Sequence, residues 1–283
     1  MAIDVSLIPP SQPVRRICLL LEADRKLMRW AIVGLERAIK ECGVSVPLVI
    51  VQQPDSWNIQ LPVTKKIVTW LILHWRMWWK TSTPWIERLP IDNLPWLAQS
   101  KIVEYPAVRA GKYGTALPPE AIQLINNEGI DLVYRRGFGI LKGDILTCTP
   151  WGVLSYHAGD ITRYRGGNSM IETYCNDEEY LVISVQKLNE HLDRGDLFDQ
   201  IPVPIRSAKS YREVIERFYT ALAGSLSQSL KKMSQPGYVI TRPVFERQII
   251  HLPTVGSLPY LMLRYLRAQL RQRARAWQIK TNK

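Results

Sequence analysis

The sequence predicts an α/β protein: a mostly parallel, Rossmann-like sheet with flanking helices, extended at its C-terminal end by a basic helical segment. Three observations predict it. Short continuous apolar runs, typical of strands buried on both faces, recur through the first two thirds of the chain. Segments of helical period separate them, the signature of βαβ units with right-handed crossovers. Beyond residue 206 the strand pattern gives way to long amphipathic stretches rich in arginine. The division that follows is a tail over 1–15, an α/β domain over 16–206 with a tryptophan-rich insertion at 57–105, and a helical extension over 207–283.

The first residues carry Pro9, Pro10 and Pro13 and lack the apolar centre of a secretion signal, so they are expected to be a plain tail. Arg16 to Glu22 is a buried-strand run. Trp30, Ile32, Val33, Leu35, Ala38 and Ile39 follow at helical spacing and stop at Cys42-Gly43, and Val46 to Val51 is the next strand. The insertion then holds seven of the ten tryptophans, with Ile67, Trp70, Leu71, His74 and Trp78 at helical spacing. Three readings of it stay open: a helix laying aromatics on the sheet, a surface for a partner, or a lipid-facing patch. Pro118-Pro119-Glu120 opens a helix that ends at Gly129. Ile130 to Tyr134, Gly152 to His157 and Tyr180 to Val185 read as strands, with a helix or strand near Ile145-Leu146. Tyr211 to Met233 is a long amphipathic helix closed by Pro236-Gly237.

Composition narrows the function classes. With 283 residues, 46% hydrophobic and 22% charged, the chain can bury a sizeable core, which excludes a disordered or collagen-like protein. Four scattered cysteines without a CxxC pair suggest neither zinc nor redox chemistry, and His74 and His191 have no partners at metal spacing. No metal is expected. The longest greasy stretch, Ile67 to Trp79, is broken by His74 and Arg76 and is shorter than a membrane span. A cytoplasmic location is the expectation. The net charge of +12 is concentrated: Arg247 to Lys283 carries eight basic residues and no acidic one, while the remaining 246 residues carry 29 basic and 25 acidic.

Chemistry concentrates late in the α/β region. Ser155 and His157 stand two apart on a strand and share a face, with a polar loop beyond, where open α/β sheets bind ligands. Tyr164-Arg165-Gly166 follows, with Gly166 nine residues after His157. Asp193-Arg194-Gly195 then sets a carboxylate in a turn 36 residues after His157. Upstream lies Gly137-Phe138-Gly139-Ile140-Leu141, which lacks the third glycine of a dinucleotide fingerprint.

Together these motifs resemble the formyltransferase family that uses 10-formyltetrahydrofolate, which includes the glycinamide ribonucleotide, methionyl-tRNA and sugar N-formyltransferases. The resemblance runs from about Ile17 to Ile205 and is strongest over 130–205. In that family an Asn-x-His ends a strand, a basic residue and glycine complete the nine-residue spacing, and an Asp-x-Gly precedes a later strand. The resemblance implies formyl transfer from 10-formyltetrahydrofolate to an amine, such as that of an amino sugar. His157 would stabilise the tetrahedral intermediate and move protons, Asp193 would orient or charge-stabilise His157, and Ser155 would donate to the developing oxyanion. Phe138, Gly139, Ile140, Leu141, His191 and Leu192 would face the cofactor, and Arg163, Arg165 and Gly166 the acceptor. Two departures mark this chain: Ser155 replaces the family asparagine, and Asp160-Ile161-Thr162-Arg163 replaces Leu-Leu-Pro.

Hydrolysis of the formyl donor and a degenerate, non-catalytic binding module are the competing readings. The extension shows no five-strand pattern for the β-barrel appendage of the tRNA enzyme, which disfavours a nucleic-acid partner. Leu263, Leu266, Leu270 and Trp277 form an apolar stripe there, with Arg264, Arg267, Arg271 and Arg275 beside it. Such a helix fits an anionic membrane surface, nucleic acid or a protein contact, or docks on the body with its arginines in water. A homo-oligomer stays open.

Overall fold

A computed structural model describes residues 5–54, 56, 83–167, 169–191, 193–246 and 256–281. Its strands in chain order are Val5–Leu7 (β1), Arg16–Leu21 (β2), Lys26–Met28 (β3), Ser45–Gln52 (β4), Arg88–Pro90 (β5), Lys101–Tyr105 (β6), Val108–Ala110 (β7), Gly114–Ala116 (β8), Leu132–Arg135 (β9), Ile140–Leu141 (β10), Val153–Ala158 (β11), Tyr180–Lys187 (β12), Asp196–Pro204 (β13) and Ile240–Arg242 (β14). The helices are Arg29–Cys42 (α1), Pro119–Asn127 (α2), Ser169–Cys175 (α3), Tyr211–Met233 (α4) and Leu258–Thr281 (α5).

The apolar run of β2 explains the architecture. Ile17, Leu19 and Leu21 point to one face and Cys18 and Leu20 to the other, and all five have no exposed surface. Each such leucine contributes about 1.5–3 kcal/mol only if both faces are covered. On the first face α1 and α4 supply Trp30, Leu35, Phe218 and Leu226; on the second, α2 supplies Ala121 and Ile125. Gly43 in the left-handed conformation ends α1, its N–H donating to the Ile39 carbonyl. The side chain of Ser210 accepts from the Glu213 N–H and starts α4.

The main sheet has nine strands in the order β1-β14-β13-β12-β11-β9-β2-β4-β6. The run β11-β9-β2-β4-β6 is parallel, and the other neighbours pair antiparallel. Rossmann-like topology with helices on both faces is therefore present, as expected. Two boundaries differ from the sequence reading. Lys101–Tyr105, assigned to the insertion, is the edge strand beside β4. Val5–Leu7, assigned to a tail, pairs with Ile240–Arg242 from the extension assigned as helical. Ile145-Leu146, expected as a helix or strand, lies in a short 3-10 helix, Gly143–Leu146. Strands of three residues carry too little alternation to stand out, and here the partner strand supplies the order. The helix expected around Trp70, together with His74, Leu192 and the side chain of Trp277, lies outside the described residues.

The extension docks on α3 in an unexpected way. Tyr265 of α5 meets Tyr174 and Tyr211 at ring separations of 5.6 and 5.3 Å. Gln272 accepts from the Tyr174 hydroxyl at 2.8 Å. Arg264 binds Glu172 at 2.8 Å and Arg275 binds Asp177 at 2.7 Å, while Arg271 donates to the Cys175 carbonyl at 2.9 Å. Three of the four arginines read as flanking the apolar stripe thus hold the helix to the body. Among the described residues no helix is long and apolar enough to cross a membrane.

Candidate active site

The site forms at the carboxyl ends of β9 and β11. Ser155 pairs with Gln186 and His157 with Ser184 on β12, so these four side chains share one face of the sheet. Tyr156 takes the other face, edge-on to Trp30 at 5.6 Å and to Tyr134 at 6.0 Å. Ser155 and His157 are both buried, at 4% and 7% exposure.

The imidazole is held by the loop that follows it. Its Nε2 lies 2.5 Å from the carbonyl of Tyr164, which only accepts, so Nε2 carries the hydrogen. Nδ1 then faces the Asp193 carboxylate, 3.8 Å away. In the neutral ring that nitrogen bears a lone pair, so the two groups are matched when a proton lies between them. The other oxygen of Asp193 accepts from the Gly166 N–H at 3.1 Å. Asp193 adopts a left-handed backbone, with φ 46°, in the turn ahead of β13. Gly195 lets that turn approach β12: a Cβ there would stand 2.3 Å from the Lys187 carbonyl oxygen. This contact is the physical need behind the Asp-x-Gly spacing.

A cavity of about 440 Å³, including its open mouth, is lined by Arg135, Ser155, Gln186 and Asp193, with the 139–141 and 188–191 loops as walls. The first loop starts at Gly137, where a Cβ would lie 2.3 Å from the Leu21 carbonyl carbon. The loops are tied together: Gly143 N–H donates to the Glu190 carboxylate at 2.9 Å and Lys142 binds the Glu190 carbonyl. Of the residues the resemblance put on the cofactor side, Gly139, Ile140, Leu141 and His191 line this cavity. Phe138 turns inward and is 1% exposed in the core under the loop.

Arg135 was not expected at the site. Its Nη1 donates to the Ser155 hydroxyl oxygen at 3.3 Å and its Nη2 to the Gly139 carbonyl. Burial brings its pKa down to about 10, leaving it a cation at neutral pH. A charged residue closing the apolar run Leu132-Val133-Tyr134 was the available signal. Gln186 was also missed. Its Oε1 is buried in the cavity wall without a hydrogen-bond partner among the described residues.

The loop after His157 is closed by its own contacts. Arg163 grips Glu178 with both terminal nitrogens, at 2.8 and 3.1 Å, and Glu178 also accepts from the Tyr164 hydroxyl at 2.5 Å. Arg165 is 3% exposed, with its guanidinium 4.6 Å from the ring centre of Phe245. A larger cleft, about 970 Å³ with its mouth, opens beside β13 and the end of α4. Its buried carboxylate, Asp199, is already bound by Lys232 and Ser229, and neither His157 nor Asp193 lines it. No cluster able to hold a metal occurs among the described residues.

No family profile matches the chain. In sequence it is similar to methionyl-tRNA formyltransferases. It is 31% identical over 87 residues to that of Macrococcus caseolyticus, covering 30% of this chain and 28% of the relative. It is 24% identical over 138 residues to that of Geobacillus thermodenitrificans, covering 48% and 43%. The chain thus spans less than half the length of these curated relatives. In structure it resembles a sugar N-formyltransferase from Shewanella sp., with a TM-score of 0.50 and 11% identity over 84% of this chain and 77% of that one, a likeness of fold.

Proposed function

We propose that this chain is an enzyme of the formyltransferase family, a reading supported by its partial likeness in sequence to methionyl-tRNA formyltransferases, and that it transfers a formyl group from 10-formyltetrahydrofolate to the amine of a small molecule. The observation that carries the reading is one cavity lined by Ser155 and Asp193, with His157 directly behind the carboxylate. The folate fits the chemistry of the wall: the unpartnered Gln186 Oε1 offers an acceptor to a pteridine N–H, and Ile140 and Leu141 offer apolar surface. When bound, the folate supplies an activated formyl carbon for attack by the amine.

The chain's own residues supply the rest. Arg135 donates to the oxygen of Ser155, which leaves the hydroxyl hydrogen free to point into the cavity. A short serine backed by a guanidinium thereby takes the place of the family asparagine as oxyanion donor. His157 would keep its Nε2 hydrogen on Tyr164, take the amine proton at Nδ1, where Asp193 stabilises the imidazolium, and return it to the folate nitrogen whose bond to the formyl carbon breaks. Gly166 fixes the carboxylate for that task. Arg163 and Arg165 shape the acceptor-side loop in this reading, so the acceptor need not be anionic.

Labelled 10-formyltetrahydrofolate incubated with the full chain and a panel of amino sugars and other small amines tests the proposal. Transfer of label to one amine is the expected result. Release of free formate at the same rate with and without amine would assign hydrolysis instead, and failure to bind folate would end the enzymatic reading.

A further inference from the structure

Helix α5 presents an unusual face to solvent. Its body-facing side buries Leu261, Tyr265 and Ala268, with Gln272 and the paired arginines Arg264, Arg271 and Arg275 making its polar contacts. Three further leucines point the other way: Leu263 is 44%, Leu266 40% and Leu270 64% exposed. At about 100° per residue these three fall within one arc, with Arg267 on one rim and Arg273 on the other, and both of those arginines are exposed. One sequence reading docked this helix with its arginines in water; in the structure Arg264, Arg271 and Arg275 meet the body, while Leu263, Leu266 and Leu270 face solvent.

We propose that this stripe is a docking surface for a membrane carrying anionic lipid headgroups, with the leucines entering the interface and Arg267 and Arg273 meeting phosphates. Charge selects the occupant. From Arg247 to Lys283 no acidic residue is present, so a second copy laid against the stripe brings cation against cation with no acidic residue of α5 to pair them. An exposed apolar stripe rimmed by arginines suits the plane of an anionic lipid interface. The arginines committed to Glu172 and Asp177 hold the helix to the body while its outer face stays available.

Sedimentation of the full chain with vesicles tests this independently of any formyl transfer. The probes are phosphatidylcholine vesicles and vesicles mixed with phosphatidylserine. Binding is expected to the mixture and not to phosphatidylcholine alone, and to fall at least about tenfold when salt is raised to about 0.5 M. Leu270→Glu should abolish it, and Arg267→Gln should weaken it about fivefold, with the helical circular dichroism signal unchanged in both. Equal binding to neutral vesicles, no binding to either, or binding that survives Leu270→Glu overturns the proposal. So does a dimer in light scattering that Leu266→Glu dissolves, which would assign the stripe to a second copy.

Discussion

The two sides of the His157–Asp193 pair are built differently. On one side the 137–141 and 188–195 segments stand apart around a cavity, with the Gln186 oxygen awaiting a partner. On the other, residues 159–166 are bound inward: Tyr164 and Arg163 on Glu178, the His157 ring on the Tyr164 carbonyl, and Arg165 under Phe245. Each side carries one departure from the pattern that resembles the formyltransferases: Ser155 in the open cavity and Asp160-Ile161-Thr162-Arg163 in the closed loop. The difference teaches that an arginine-rich loop is not by itself an anion site. What its guanidinium groups already hold decides whether any charge is left for a ligand.

Six substitutions break or sharpen this contrast. The largest effect is expected at the shared centre: His157→Ala or Asp193→Asn lowers turnover about 10³-fold, far more than any accompanying shift of the unfolding midpoint accounts for, measured by steady-state kinetics beside urea unfolding. On the open side, Ser155→Ala lowers kcat about 10²-fold by removing one oxyanion donor, with folate affinity by titration calorimetry unchanged. Loss of affinity in that variant would place Ser155 in binding instead.

Gly195→Ala acts on the same wall through backbone. The added methyl must displace the Lys187 carbonyl, so destabilisation of about 1–3 kcal/mol is expected in urea. On the closed side, Glu178→Gln costs about 1 kcal/mol and raises KM for the amine more than it lowers kcat, because it frees the loop and leaves the proton relay in place. A fall confined to kcat would contradict the division into two sides.

The smallest effect concerns pH. The hydrogen bond from Arg275, with nearby cationic charge, holds the Asp177 carboxyl below its ordinary value against the opposing effect of burial. A carboxyl lowered in the folded state stabilises above its unfolded pKa of about 3.9, and that contribution is lost as pH falls through the lowered value. Screened by solvent, it amounts to roughly 0.2–0.5 kcal/mol. Amide exchange of α5 should therefore quicken slightly as pH falls below about 4, after correction for intrinsic rates, and Asp177→Asn should remove that dependence.

The sheet interior was legible because β2, β4 and β12 are long enough for burial to write itself as an apolar run. Ser155, His157 and Asp193 were legible through spacing alone, and the structure gathers them. Arg135 was not, because its role depends on β9 and β11 being neighbours, a fact of strand order. The facing of α5 was hidden for a related reason. Periodicity finds two faces but cannot say which one meets Tyr174, Glu172 and Asp177. Strands β1 and β14 are too short to announce themselves and lie more than 230 residues apart.

That last pairing bears on how the chain is made. On a ribosome the parallel strands emerge early and can assemble in order, but the antiparallel half waits for Ile240–Arg242, the last strand among the described residues. Until then β13 lacks its outer neighbour and β1 has no neighbour in the sheet. The nascent protein therefore passes through an interval with an open sheet edge, the state most prone to mispairing with other chains. Speed of synthesis between β13 and β14 becomes a determinant of yield.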